Sequence, residues 1–253
     1  MKYLVFAVCL AAQAQLTAAL KPETVKEFDS YQAMVDQELA ARLGGTRAFQ
    51  WLDEHPERRA EVLSGKIVTQ ALSGPDGRSV SSGLVHDWVG DIYLKGQKVE
   101  AVRDFLLDTP RHPSVFADVK EAAVLSREGE HSVTRLRLVK KKVLTVVLDV
   151  EYQNEWRALP GGRWTMSARS RKVSEIDGGQ ALPPDTGHGF LWRMNTFWLL
   201  RQDDGGVWVE LRSVTLSRDT PRGLGWIIRP IIRNFPAEAI LGTLEGTQKA
   251  LGR

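Results

Sequence analysis

Six polar side chains stand in stretches otherwise built for a hydrophobic core: His86, Asp87, Arg193, Asn195, Glu210 and Arg212. Such groups are costly to bury unless each meets a partner, so their placement asks for an explanation. His86 with Glu210 or Asp87 has the composition of an acid–base pair, in which a positioned imidazole and carboxylate shuttle a proton. The same residues also suit a structural histidine satisfied by its neighbours. Arg193 with Glu210 suggests a head-group anchor, because a guanidinium matches carboxylate or phosphate oxygens through two hydrogen bonds. Its plainer alternative is an ion pair that only holds strands together. Asn195 and Arg212 extend this polar set, and Trp88 beside it offers an aromatic wall.

Other chemistries leave no trace. The chain has no HExxH, GxSxG, P-loop or GxGxxG pattern and no paired cysteines. Histidines at 55, 86, 112, 131 and 188 lack ligand spacing, so neither a metal nor a cofactor is expected. With 34 Lys and Arg against 31 Asp and Glu spread along the chain, nucleic-acid binding is unsupported. The surplus is only +3, so the pI near 9.0 says little about an anionic partner.

The elements that must position these residues follow from periodicity and turn chemistry. Residues 189–218, GFLWRMNTFWLLRQDDGGVWVELRSVTLSR, are two β-rich arms around Asp203-Asp204-Gly205-Gly206, a hairpin signal. Arg193 and Asn195 share one face of the first arm, and Glu210 and Arg212 one face of the second. Residues 79–94 form a strand with Leu84, His86, Trp88 and Ile92 on one side and Val85, Asp87, Val89 and Tyr93 on the other. Between them, strands are expected over 119–127, 132–139, 143–156 and 164–176, with Lys140-Lys141-Lys142 as a charged turn. A shorter strand is expected over 66–72 and a helix over 98–108.

Both ends of the chain are helical. Pro22 to Leu43 carries Val25, Phe28, Tyr31, Val35, Leu39 and Leu43 at three- and four-residue steps, closed by Gly44-Gly45. A broken helical region follows to Gly65, and residues 20–65 together read as an appendage docked through an apolar stripe. At the far end, 224–233 is expected to be interrupted at Pro230 and a helix to restart at Pro236 with Ile240, Leu244 and Leu251 on one face. Trp226 and the isoleucines of 224–233, spaced by Arg229 and Arg233, suit either packing over the sheet or a lid with peripheral membrane contact.

Residues 1–19 read as a secretory signal peptide: Lys2, an apolar run, then small-x-small patterns ending at Ala14 and Ala19. Export to the periplasm or medium is expected. Cys9 lies in that run, so the mature protein, cleaved after Ala14 or Ala19, would hold no disulfide and rely on its core.

One strand, a helical segment, a meander of six strands and a long terminal helix resembles the helix-grip fold of the START and Bet v 1-like (SRPBCC) superfamily, which includes polyketide cyclases and lipid-transfer proteins. The resemblance covers about residues 80–251 and is carried by that order and by the runs GLVHDWVG (83–90), GFLWRMNTFW (189–198), VELRSVTLSRDTP (209–221) and GLGWIIRPIIRNFP (223–236). It implies an α+β domain over 66–253, with a curved antiparallel sheet of about seven strands wrapped around the C-terminal helix. It further implies that the first strand lies beside the last, bringing His86 and Trp88 next to Glu210 and Arg212. The functional expectation is a binding or transfer protein for a hydrophobic or lipid-like small molecule, oriented by Arg193, Asn195, Glu210, Arg212 and Trp88. The alternatives are a cyclase- or dehydratase-like enzyme using His86 and a carboxylate, and an interaction protein with no ligand.

Overall fold

The computed structural model of the chain describes residues 17–141, 145–219 and 225–252, with side chains in the last stretch from 235 onward. Residues 1–16 of the expected signal peptide, the residues that follow Lys141 in the expected turn, and the side chains of 224–233 lie outside it. No described helix is long and apolar enough to cross a membrane.

The long strands alternate, with register shifts only in the β5–β6 and β7–β8 pairings, and that alternation builds a sheet with two differently furnished faces. The described part of the chain opens with β1 (Ala18–Ala19), α1 (Pro22–Leu43), a single turn at Trp51–Glu54 and α2 (Arg59–Leu63). Then come β2 (Val68–Ala71), β3 (Arg78–Val80), β4 (Gly83–Lys95), α3 (Val99–Leu107) and α4 (His112–Val115). The meander is β5 (Val119–Glu128), β6 (His131–Lys141), β7 (Thr145–Leu159) and β8 (Arg163–Asp177). Two short strands, β9 (Gln180–Ala181) and β10 (Thr186–Gly187), precede the hairpin of β11 (Arg193–Asp203) and β12 (Gly206–Arg218), and α5 (Gly225–Leu251) closes the chain.

The main sheet has ten strands along the path β2-β4-β12-β11-β8-β7-β6-β5, with β3 and β9 paired at its margins. Its pairings are antiparallel, and β4 lies beside β12, as the family resemblance implies. The seven long strands and the short β2, within the expected 66–72, are those read from the sequence; the additional ones in the main sheet, β3 and β9, are pieces of three and two residues beside turns. This is the helix-grip arrangement, α+β, with α5 gripped by the sheet.

One face carries Ile92, Trp198, Leu200, Val209 and Leu211, which form a core with α3 and with Ile240 and Leu244 of α5. We call this face concave. Here Gly90 is required for close approach: a Cβ built on it would stand 2.6 Å from Leu244 Cδ1 and 3.1 Å from Ile240 Cγ2. The backbone of α5 runs through Pro230 and Pro236 without a break, where the sequence suggested interruption. A proline removes one helical hydrogen bond, and that local loss can be carried by a long helix packed along a sheet.

The opposite, convex face of β4, β12 and β11 is covered by the N-terminal segment. Phe28, Val35 and Leu39 of α1 and Phe49 pack on Val85, Phe197, Leu199, Val214 and Leu216. Trp51, Leu52 and Val62 pack on Val89 and Trp208. Full burial of each such side chain favours folding by about 1.5–3 kcal/mol before ordering costs. Residues 20–65 thus form a layer on the sheet. The pairing of Ala18 with Gly187 and Ala19 with Thr186 extends that layer toward the N-terminus.

Candidate ligand cavity

A cavity of about 180 Å³ lies between the concave face, α5 and the α3–α4 region. At a water's share of about 30 Å³ of liquid volume, it has room for about six waters. Leu136, Leu138, Val146 and Leu148 wall one end, and Met166, Trp198 and Leu211 another stretch. From α5, Phe235, Ala239, Ile240 and Thr243 close over it. The walls follow from strand alternation: Ser132, Thr134, Leu136 and Leu138 of β6 and Val146, Leu148, Tyr152 and Asn154 of β7 line the space.

Charged groups at its margin are engaged with protein. Lys140 Nζ lies 2.7 Å from Asp118 Oδ2 and 3.5 Å from Glu238 Oε2. Arg127 donates to the Leu107 carbonyl at 2.9 Å and lies 5.5 Å from the centre of the Trp156 ring. His112 Nε2 is 3.2 Å from the Leu106 carbonyl oxygen, and burial pulls its pKa below the usual histidine value.

None of the polar residues singled out in the sequence lines this cavity. Arg193, Asn195, Glu210 and Arg212 all lie on the convex face, the side away from α5. The register is the reason: Arg212 stands opposite Val89 and Glu210 opposite Asp91, whereas His86 stands opposite Thr215 and Trp88 opposite Ser213. Adjacent strands bring these residues near in sequence register, but the uninterrupted alternation of β4 and β12 sends the two sets to opposite faces. The expected cluster of His86 with Glu210 and Arg212 therefore does not form. His86 is fully buried, with the Gly77 backbone packed against its ring, and Trp88 packs in the concave core beside the cavity without lining it. Of the other hairpin tryptophans, Trp198 alone lines the cavity; Trp192 and Trp208 belong to the convex cores.

The convex residues are answered mainly by the N-terminal segment. Arg212 makes a two-pronged pair with Asp87, Nε–Oδ1 2.9 Å and Nη2–Oδ2 2.7 Å, and reaches Glu38 of α1 at 3.0 Å. Tyr31 of α1 donates to the same Asp87 at 2.9 Å. Burial opposes the Arg212 charge, yet the hydrogen bonds and charges of Asp87 and Glu38 outweigh it and hold the guanidinium firmly protonated. Asn195 donates to Gln32 Oε1 at 2.9 Å, and Glu210 accepts the Trp51 backbone N–H. Arg193 pairs instead with Asp185 in the loop before its strand, at 2.5 and 3.2 Å. The contacts of Glu38, Tyr31, Gln32 and Trp51 dock the N-terminal layer on the sheet, whereas Arg193–Asp185 does not reach that layer and Arg212–Asp87 joins two strands.

Glu210 and Asp91 form a buried acidic pair in this interface. Burial pushes the Glu210 pKa up to about 7, against the pull of the Trp51 N–H and of Arg42 and Arg212, with Asp53 adding to the rise. Burial and the Glu210 charge raise Asp91 well above the usual carboxylate range. A raised folded-state pKa means that the folded protein holds its proton where the unfolded chain has released it. Stability from this pair is therefore complete below the unfolded pKa and is lost as pH rises toward the folded one. Between about pH 4.5 and 7 we expect a loss on the order of 1–3 kcal/mol, smaller in Glu210→Gln. Urea midpoints of both proteins at the two pH values check this; parallel pH dependence would rule it out. The comparison of two proteins also separates this effect from His188, whose pKa is raised chiefly by its hydrogen bond to Glu175.

What the sequence reading missed is the polar part of the cavity wall: Ser132, Thr134, Tyr152 and Asn154. The available signal was the alternating set Val146, Leu148, Val150, Tyr152, Asn154, which turns polar while keeping its period.

No family model and no curated protein matches the chain. Solved structures do align with it. A STAR-related lipid transfer protein fragment from Xanthomonas axonopodis is 16% identical, with a TM-score of 0.48 over 73% of this chain and 99% of that one. The Zhui aromatase/cyclase from a Streptomyces species is 10% identical, with a TM-score of 0.49 over 66% and 93%. Human STARD10 is 14% identical, with a TM-score of 0.44 over 72% and 73%.

Proposed function

We propose that this protein binds a hydrophobic or amphipathic small molecule between the sheet and α5. The observation that carries the reading is the cavity itself. At about 180 Å³ it falls below the ~300 Å³ usual for a drug-sized ligand, which limits the reading to a small ligand and favours the alternative of an interaction protein with a filled pocket. Its walls are mainly aliphatic and aromatic, and the charged groups at its margin are already engaged with protein. Apolar walls with a few hydrogen-bonding groups are the usual make-up of a small-molecule site. A catalytic reading based on His86 and Glu210 has no support in the geometry, since the two lie on opposite faces.

Native mass spectrometry of gently purified protein should show a lipid-like adduct. In Leu148→Trp, where an indole takes the place of an aliphatic wall residue, the adduct should fall at least ten-fold, equivalent to about 1.4 kcal/mol. An adduct of equal abundance in Leu148→Trp, or a bare mass joined to no thermal stabilisation by any member of a lipid and aromatic panel, would sink the proposal.

We also propose that the chain is exported and cleaved after Ala14. Cleavage there keeps Ala18, which packs on the convex core, and the strand pairing of Ala18 and Ala19. Cleavage after Ala19 would discard that pairing. N-terminal sequencing of protein recovered from outside the cytoplasm should begin at Gln15; a start at Leu20, or an uncleaved cytoplasmic protein, would refute this site.

A further inference from the structure

A belt of uncharged hydrogen-bonding groups crosses the concave wall, and it restricts what the cavity can hold. In register, Ser132 stands opposite Asn154, Asn154 opposite Ala168, Ala168 opposite Thr196, and Thr196 opposite Ser213. One row over, Thr134 stands opposite Tyr152. Apolar rows flank the belt: Trp156, Met166, Trp198 and Leu211 on one side, and Leu136 with Val150 and Leu138 with Leu148 on the other. Ser132, Thr134, Tyr152, Asn154, Thr196 and Ser213 all line the cavity.

Several of these groups have hydrogen-bonding capacity left over. The Asn154 amide nitrogen serves Thr134 Oγ1 at 3.0 Å and Ser132 Oγ at 3.2 Å, which leaves its carbonyl oxygen as an acceptor. The hydroxyls of Tyr152, Thr196 and Ser213 have no side-chain hydrogen bond to another described residue, although Tyr152 and Ser213 are more than nine-tenths buried. These residues line the cavity, where a ligand or water carrying both donors and acceptors would satisfy them.

From this belt we infer that the preferred ligand is uncharged and oxygen-bearing, a hydrophobic molecule with a hydroxyl, ketone or ester group, and not a lipid with an anionic head. This rests on the cavity being a ligand site. The belt supplies neutral donors and an amide acceptor, with no cation among its six residues. Arg127, opposite Ser132 on the edge strand, is the rival feature, but its guanidinium is engaged by the Leu107 carbonyl and lies against Trp156. Lys140, on the far side of the apolar row, is neutralised by Asp118 and Glu238. An anion near the belt would leave water without a charge partner there, which is unfavourable in an apolar enclosure.

The test is displacement of a neutral, environment-sensitive dye, Nile red, from the full chain by compounds that share one alkyl chain length. They end in methyl, primary alcohol, methyl ester, carboxylate or phosphate. The alcohol and ester should displace at concentrations about three- to ten-fold below the hydrocarbon and both anions, the worth of one to two modest hydrogen bonds. In Asn154→Leu that advantage should shrink to within about two-fold with the hydrocarbon still bound, and Tyr152→Phe, a gentler change, should reduce it in part. Carboxylate or phosphate matching or beating the alcohol would overturn the inference, as would an undiminished advantage in both variants. Leu148→Trp separates the two levels. If it takes up dye as the parent protein does, or if no compound displaces dye from the parent, the cavity reading itself fails and this inference falls with it.

Discussion

Arg212→Met is expected to lose about 3–5 kcal/mol of folding stability, read as a fall in the urea midpoint, because it strands a buried charge. Asp87 is fully buried, and both its oxygens are engaged by Arg212. Without the guanidinium, only the Tyr31 hydroxyl remains to face that carboxylate from α1. Glu38 would keep its bonds to Arg42, at 3.2 and 3.0 Å, so the loss concentrates on Asp87. The double variant Arg212→Met with Asp87→Asn should recover part of the loss by removing the stranded charge, a coupling visible in a double-mutant cycle. Limited proteolysis should show α1 released before the sheet core. A cost under about 1 kcal/mol would mean that the pair behaves as a solvated surface bridge.

The second large effect is at Gly90. Any side chain there meets Leu244 and Ile240 of α5 and, at 3.2 Å, the Thr69 methyl of β2. Gly90→Val should cost about 2–3 kcal/mol through overpacking, since neither sheet nor helix can give way without moving the other. Because Ile240 also lines the cavity, the same change should alter ligand uptake, unlike Arg212→Met on the far face. Pairing Gly90→Ala with Leu244→Ala should cost less than the sum of the two single changes, because the truncated leucine leaves room for the new methyl. Additive losses would show that the helix does not rest on Gly90 as described.

The two predictions describe two sides of one sheet with different tasks. The concave side grips α5 and encloses the cavity. The convex side binds the N-terminal layer through buried ions, a costly device that specifies one docking geometry more than it adds stability. The acidic pair of Asp91 and Glu210 makes that interface sensitive to pH, and the cavity wall contains neither residue.

Much of this was determined by the sequence itself. Period-two alternation in 83–95 and 206–218, the Asp203–Gly206 turn, and the stripe of Phe28, Val35 and Leu39 in α1 are local signals. They act through backbone sterics and spacing that any window of the chain reveals. The alternation also paired Arg193 with Asn195, and Glu210 with Arg212, on shared faces. It could not say which face was which. That depends on where two distant segments land, α5 on one side and residues 20–65 on the other, and nothing within a strand records it. Tertiary structure therefore decided that Asn195, Glu210 and Arg212 belong to a docking interface while Arg193 pairs with Asp185 beside its strand, that His86 lies apart from Glu210, and that Ser132, Thr134, Tyr152 and Asn154 face the cavity. The physical reason is that a strand presents two equivalent sides to its surroundings, and only packing across long sequence separations makes one of them a wall and the other a seam.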